Sequence, residues 1–283
     1  MQFEDVDINR EPAPRPGRFG RFYLQELINS GGLAEIWVAT DAQNQTFALR
    51  KMRNTSFFNF SERRQFLHGC EVLSKIHHNE NVINYIEHGK MDGSLYLLME
   101  YVESSNLKQL LSRNDPLLAE NIAQIILDMS SGLEQVHQSG FIHLDFKPEN
   151  VLVTRSGGVR LIDFDLAQDR PEEPTRMSKY PGTPAYMAPE QLQRLPLDQR
   201  ADIFALGVSV YEVLTGAKPF PGETPEEILR LQLAASPTPP RELNGDIPPA
   251  LEKCILKCLV ADMDGRYFDM AMALRDIQAA LYV

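Results

Sequence analysis

At 283 residues, 43% of them hydrophobic, the chain can build one large domain or two lobes on separate cores, and it is too long for a lone peptide-binding module. Its 28 Lys and Arg against 39 Asp and Glu give a formal net charge of -11. That balance argues against a phosphate-backbone binder, which shows a basic excess or stripe, so nucleic acid is not an expected partner. Three cysteines, Cys70, Cys254 and Cys258, are too few and scattered for a disulfide framework. Cys254 and Cys258 have i, i+4 spacing, but no His or further Cys lies near to complete a metal site, so buried thiols are expected.

The opening stretch MQFEDVDINR is acidic, without the apolar run of a signal peptide. No uninterrupted apolar stretch approaches the ~18 to 20 residues of a membrane helix, so the expectation is a soluble, cytoplasmic protein. REPAPRPG at 10 to 17 reads as an extended linker, which places a terminal extension at 1–18. From Phe19 to about Glu100, FYLQELI, EIWVATD, TFALRKM, VINYIEHG and SLYLLMEY alternate apolar and polar residues, as strands of an antiparallel sheet do. One helix interrupts them within Ser61 to His77, where Phe66, Val72, Leu73 and Ile76 recur at helical spacing. Beyond residue 104 the periodicity is mostly helical, in LKQLLSR, NIAQIILDMSSGLEQVHQSG, DIFALGVSVYEVLTG, PEEILRLQLAA, ALEKCILKCLVAD and MAMALRDIQAALYV. SPTPPREL at 236 to 243 reads as a solvated loop. A small β-rich lobe, 19–103, thus precedes a larger α-helical lobe, 104–283.

The informative residues gather after the start of the second lobe. FIHLDFKPENVLV holds His143, Leu144, Asp145, Lys147 and Asn150; LIDFDLA holds Asp163 and Phe164; GTPAYMAPEQ and DIFALG follow. Taken in this order they resemble the motif set of protein kinases, over roughly residues 19 to 280. An α+β bilobal fold of that kind is implied. The PPRELNGDIPPALEKCILKCLVADMDGR stretch looks most like the bacterial eukaryotic-like, or Hanks-type, branch.

The resemblance implies roles residue by residue. Asp145 would accept the hydroxyl proton and Lys147 would neutralise charge on the moving phosphoryl group. Asn150 and Asp163 would supply hard oxygen ligands to Mg²⁺ bridging the phosphates of ATP. Thr183 and Lys147 are of the serine/threonine type, so the implied acceptor is a Ser or Thr hydroxyl of a protein. Glu190 and Arg266 match the family's buried ion pair, and Asp202 the residue that ties the catalytic loop to the helix beneath it. LINSGGLAEIWVA aligns with the glycine-rich hairpin, with Asn29 and Ala34 where two glycines usually stand and Gly31 in place beside Gly32. Ile36, Ala48, Met99, Glu100, Val102 and Leu152 are assigned to the nucleotide in the same way.

Several positions depart from the pattern. Alternation along FALRKM puts Arg50, not Lys51, on the face of Ala48, so Arg50 takes the place of the phosphate-binding lysine. The helix register that keeps Phe66, Val72, Leu73 and Ile76 inward puts Gly69, not Glu71, where the lysine's glutamate partner belongs. Leu144 replaces the arginine that binds a phosphorylated activation loop, which removes switching through that contact. Thr175, Ser178 and Tyr180 are candidate acceptors in that loop. Asp165 replaces the glycine that ends the metal-binding triplet, and it admits two readings: a third metal ligand, or a helix cap or solvent-facing residue, the ordinary role of a loop carboxylate. Three functions stay open at this point: an active serine/threonine kinase, a pseudokinase that binds nucleotide or a partner without transfer, and a small-molecule kinase, which GTPAYMAPE disfavours.

Overall fold

The structure, a computed structural model, describes residues 14–31, 33–53, 60–76 and 78–282. Most of the expected extension at 1–18, and Gly32, lie outside the described residues. The chain forms two compact units. One runs to Arg63 and includes Ile86–Tyr101; the other comprises Arg64–Tyr85 and Val102–Val283.

The smaller unit is built on strands β1 (Gly17–Phe19), β2 (Phe22–Ser30), β3 (Ala34–Thr40) and β4 (Thr46–Met52). After helix α1 (Phe60–Lys75) come β5 (Tyr85–Met91) and β6 (Ser94–Glu100), giving a six-stranded sheet in the order β1-β2-β3-β4-β6-β5. Turn chemistry sets the hairpins. Asp41 Oδ1 accepts from the amides of Gln43 and Gln45, and Asn44 takes a positive φ of 61° between β3 and β4. Asp92 and Gly93 both have positive φ, 46° and 80°, as a two-residue type I′ connection requires.

One face of this sheet carries the core, with Phe19, Phe22, Trp37, Phe47, Leu49 and Leu98 among its buried members. Phe22 and Phe47 meet edge to face at 5.9 Å between ring centres. Each such side chain contributes about 1.5–3 kcal/mol by leaving water. VINYIEHG was expected to open as a strand at its first residues, but β5 begins only at Tyr85. Val82 instead makes an isolated parallel bridge to Leu161, and the Ile83 amide donates to the Leu161 carbonyl at 3.0 Å.

In helix α1, Phe66, Gly69, Cys70, Val72 and Leu73 are buried and Glu71 is exposed, so the apolar face runs through Gly69.

The larger unit continues through β7 (Ser104–Asn106), α2 (Leu107–Arg113), α3 (Pro116–Gln138), β8 (Phe141–Ile142), β9 (Val151–Thr154), β10 (Val159–Leu161) and β11 (Gln168–Asp169). Helices α4 (Pro189–Leu192), α5 (Arg200–Thr215), α6 (Pro225–Leu233), α7 (Pro240–Leu243), α8 (Pro249–Cys258) and α9 (Met270–Leu281) complete it. Helix α3 starts on Asp115, whose side chain accepts from the Leu117 amide at 3.0 Å, with Pro116 at the first helical position. Helix α5 is buried from Arg200 to Val213, mostly with apolar side chains, so it forms the axis on which α3, α8 and α9 pack. No helix among the described residues is long and apolar enough to cross a membrane.

SPTPPREL departs from its expected form as a solvated loop. Pro240 is the first residue of a single helical turn, α7, and is itself buried, and the Tyr211 hydroxyl donates to the Thr238 carbonyl at 2.7 Å. Proline is compatible with a helix start because its missing N–H has no partner there anyway.

Cys70, Cys254 and Cys258 are free and buried. Burial pushes the Cys258 thiol up to about 12. Since the thiolate is the reactive form, native protein at pH 8 is expected to show none of its three thiols to a disulfide reagent within minutes, and all three after denaturation. Rapid reaction of folded protein would contradict this packing.

Candidate active site

The catalytic-loop stretch begins where α3 ends. After Gly140, with φ of 87°, the chain forms β8 and turns at Leu144, whose φ is 61° although it is neither Gly nor Asn. Such a conformation costs on the order of 1–3 kcal/mol and persists only when the surroundings impose it. Here Asp202, in the first turn of α5, accepts from the amides of His143 at 2.7 Å and Leu144 at 2.8 Å. The Leu144 side chain is buried, which adds apolar stabilisation where an arginine was replaced. Burial alone would raise the Asp202 carboxyl. The hydrogen bond and charge of His137, 2.8 Å from Oδ2, with the contributions of His143, hold it below its ordinary value.

Asp145, Lys147, Asn150 and Thr183 come together in one network. Lys147 Nζ donates to Asp145 Oδ2 and to Thr183 Oγ1, both at 2.7 Å, and the Thr183 hydroxyl donates to Asp145 Oδ1 at 2.8 Å. Asn150 Nδ2 donates to the Asp145 carbonyl at 2.9 Å and more weakly to Oδ2 at 3.3 Å. No donor faces a donor, so the arrangement closes as a triangle of charge-assisted bonds. The carboxylate is locked in orientation, yet Oδ1 keeps a lone pair for a further hydroxyl.

The segment that delivers Thr183 is held on several sides. Gly182, with φ of 135°, lies so close to the catalytic loop that a Cβ there would come within 2.9 Å of the Leu144 carbonyl oxygen. Gln191 Nε2 donates to the Pro181 carbonyl at 3.2 Å, while its Oε1 accepts from the Ala188 amide at 2.9 Å. Tyr186 donates to Glu212 at 2.6 Å, and Lys108 pairs with the other oxygen of Glu212 at 2.6 Å. Burial first, and then Glu212, push the Tyr186 hydroxyl far above its ordinary value, so it stays a donor at any physiological pH. Glu190 and Arg266 form a bidentate pair at 2.7 and 2.8 Å, both residues buried. The remaining guanidinium donors go to the carbonyls of Val260, Arg200 and Ala261, so all five N–H groups are used.

Asp163 has φ of 65°, and Phe164 is buried against His143, their rings 5.1 Å apart. His143 Nε2 lies 3.2 Å from the Ile162 carbonyl and Nδ1 faces the Asp145 amide at 3.3 Å. With Nε2–H donating to the Ile162 carbonyl and Nδ1 accepting from the Asp145 amide, the ring ties the Asp145 and Asp163 segments together. Asp165 is a correction to the solvent-facing or helix-cap reading: it lies in a turn, and it is buried. Among the described residues no group of three or more His, Cys, Asp or Glu side chains converges as a metal cage. Asn150 and Asp163 nonetheless fit Mg²⁺, which keeps several waters and is held by one or two protein oxygens together with substrate phosphates.

In the smaller unit the pairing of strands sorts the expected nucleotide residues by face. Asn29 pairs with Ile36 and Ile36 with Arg50, while Val38 pairs with Ala48 and Ala48 with Met99. Residues paired across strands, and those two apart along one, share a face. Arg50, Ile36, Ala48 and Met99 therefore lie on one side. Phe47, Leu49 and Lys51 lie on the other, with Glu100 paired to Phe47 and the Lys51 ammonium 5.2 Å from the Phe19 ring centre. Gly31 and Ala34 close the hairpin between β2 and β3, the Gly31 amide donating to the Ala34 carbonyl at 3.0 Å. In the larger unit Val102 precedes β7, and Leu152 in β9 pairs with Asn106 and Arg160.

His137, Lys108, Gln191 and Glu212 belong to this machinery and were not found in the sequence. Their partners lie far along the chain, and none sits in a motif whose spacing announces the contact. The family model described as protein kinase domain matches residues 22–276. A probable serine/threonine-protein kinase of Clostridium acetobutylicum is 32% identical over 87% of this chain and 38% of its own. Serine/threonine-protein kinase PknB of Mycolicibacterium smegmatis is 30% identical over 87% of this chain and 41% of its own. A serine/threonine-protein kinase of Myxococcus xanthus is 32% identical over 84% of this chain and 46% of its own. The chain thus spans less than half the length of the curated relatives it matches. With its catalytic-loop network, buried Glu–Arg pair and strand register all described, the chain belongs to the protein kinase family, on its bacterial Hanks-type branch.

Proposed function

We propose that this chain is the kinase domain of a serine/threonine protein kinase, transferring the γ-phosphoryl group of ATP to a Ser or Thr hydroxyl of a protein. The observation that carries the reading is the closed Asp145–Lys147–Thr183 triangle, an orienting device with little purpose in a chain that only binds. Asp145 takes the proton of the acceptor hydroxyl as its oxygen bonds to the γ-phosphorus and the bond to the ADP oxygen breaks. Lys147 offsets negative charge on the moving group. Asn150 and Asp163 would hold Mg²⁺, which would supply charge neutralisation at the phosphates. Asn29, Gly31, Gly32, Ala34, Ile36, Ala48, Arg50, Met99, Val102 and Leu152 serve the nucleotide, with Arg50 as the phosphate-binding cation; Glu100, whose side chain lies on the other face with Phe47, takes part through its main chain. The three free buried thiols support a reducing, cytoplasmic setting for this domain.

The test is incubation of purified protein with Mg-ATP and a generic protein acceptor, read by mass spectrometry for phosphoserine and phosphothreonine. Phosphate well above an Asp163→Ala control is the expected result. Transfer no greater than that control, with an ATP-dependent thermal shift retained, would replace this reading with the pseudokinase one.

A further inference from the structure

Two departures from the family pattern, Gly69 and Asp165, meet in space. A Cβ built on Gly69 would lie 2.3 Å from Asp165 Oδ1, 2.9 Å from its Cα and 3.0 Å from its amide nitrogen. The first of these contacts involves the end of a side chain and could relax. The other two involve backbone and could not. Helix α1 therefore rests directly on the turn after Asp163, with room for nothing larger than glycine. His68, the neighbouring residue, clamps the same turn: its Nε2–H donates to the Ala167 carbonyl at 2.7 Å. Both Gly69 and Asp165 are buried. The Asp165 carboxylate thus fills the space in which a side chain at position 69 would begin.

We propose that Asp165 supplies the buried negative charge that the family carries on helix residue 69, and that Gly69 is glycine to admit it. The charge has moved from the helix to the segment that follows Asp163. The two substitutions are then one exchange: a side chain at helix position 69 is not compatible with Asp165 as it stands. A carboxylate is kept out of water only where it is matched by donors or countercharge, so burial of Asp165 beside the metal-binding residue signals a use and not an accident of packing. Asp165 is a positioning residue for phosphoryl transfer. This inference rests on the kinase reading.

The test compares wild type with Asp165→Asn, which keeps shape and loses charge, and Asp165→Gly, which restores the residue usual in the family. Both are expected to lower kcat/KM for ATP about tenfold or more, as misplacement of phosphate-binding groups does, while the Mg²⁺ concentration for half-maximal rate and the melting temperature change little. A loss in Asp165→Gly is the telling outcome, because sequence resemblance alone anticipates a gain. Wild-type kcat/KM in either variant would overturn the proposal, and so would a several-fold rise in the Mg²⁺ requirement, which would make Asp165 a metal ligand. If wild type transfers no phosphate, the ATP-dependent thermal shift gives the answer: its loss in Asp165→Asn supports the relocated charge while the kinase reading fails. Its retention overturns the relocation. Neither transfer nor shift in wild type overturns both.

Discussion

Asp145→Asn is expected to lower kcat by about 10²- to 10⁴-fold, the range for removal of a positioned general base. The amide keeps the size of the carboxylate but turns an acceptor into a donor. Placed at Oδ2, its NH₂ would face the Lys147 ammonium, which now donates there at 2.7 Å; placed at Oδ1, it would face the Thr183 hydroxyl, which donates at 2.8 Å. Either orientation breaks one side of the triangle. The nucleotide residues are untouched, so KM for ATP should stay within about threefold and the loss should appear equally in kcat and kcat/KM, as for an interaction made in the transition state. Steady-state phosphate transfer on folded protein measures both. Activity within about fivefold of wild type would remove Asp145 from the proton-transfer role. Thr183→Ala should cost less, since Lys147 still holds Oδ2, and Thr183→Ser should recover most of that loss by restoring the hydroxyl.

How much of this was legible in the sequence depended on whether the determining contacts were local. Arg50 and Lys51 could be assigned to faces from alternation alone, because a strand has period 2 and its neighbours in β3 and β6 obey the same rule. Gly69 could be placed from the helical spacing of Phe66, Val72 and Leu73, and Glu71 is exposed as that spacing implies. The residues around Asp145 could be named because five of them sit in one short stretch, FIHLDFKPENVLV, that resembles the catalytic loop of protein kinases. The short strands β7 to β11 were not legible, since segments of two to four residues carry too little periodicity to be seen. Nor was Asp165 as a buried group. An Asp after a Phe looks like any loop carboxylate until the helix that presses on it, nearly a hundred residues earlier in the chain, is known.

The second large effect concerns stability. Arg266→Met is expected to cost about 3–5 kcal/mol, because it leaves Glu190 as an uncompensated charge in a site from which water is excluded. For a unit of this size that corresponds to a fall in melting temperature of about 6 to 20 °C. Glu190→Gln should cost less. The guanidinium it leaves behind still donates to the carbonyls of Val260, Arg200 and Ala261, so its charge stays solvated by backbone dipoles. For the same reason the double variant Glu190→Met, Arg266→Met should recover part, not all, of the single loss: it removes the stranded charge but strands three carbonyls. Thermal and urea unfolding give the order, and equal losses in the two single variants would refute the asymmetry. Because Glu190 lies in α4, seven residues after Thr183, weakening the pair also loosens the segment that completes the catalytic triangle. Below the melting transition, the folded fraction of Arg266→Met should therefore lose transfer rate in proportion to its loss of the Thr183–Asp145 contact while its KM for ATP holds, which separates an anchor of the activation segment from a general support of the fold.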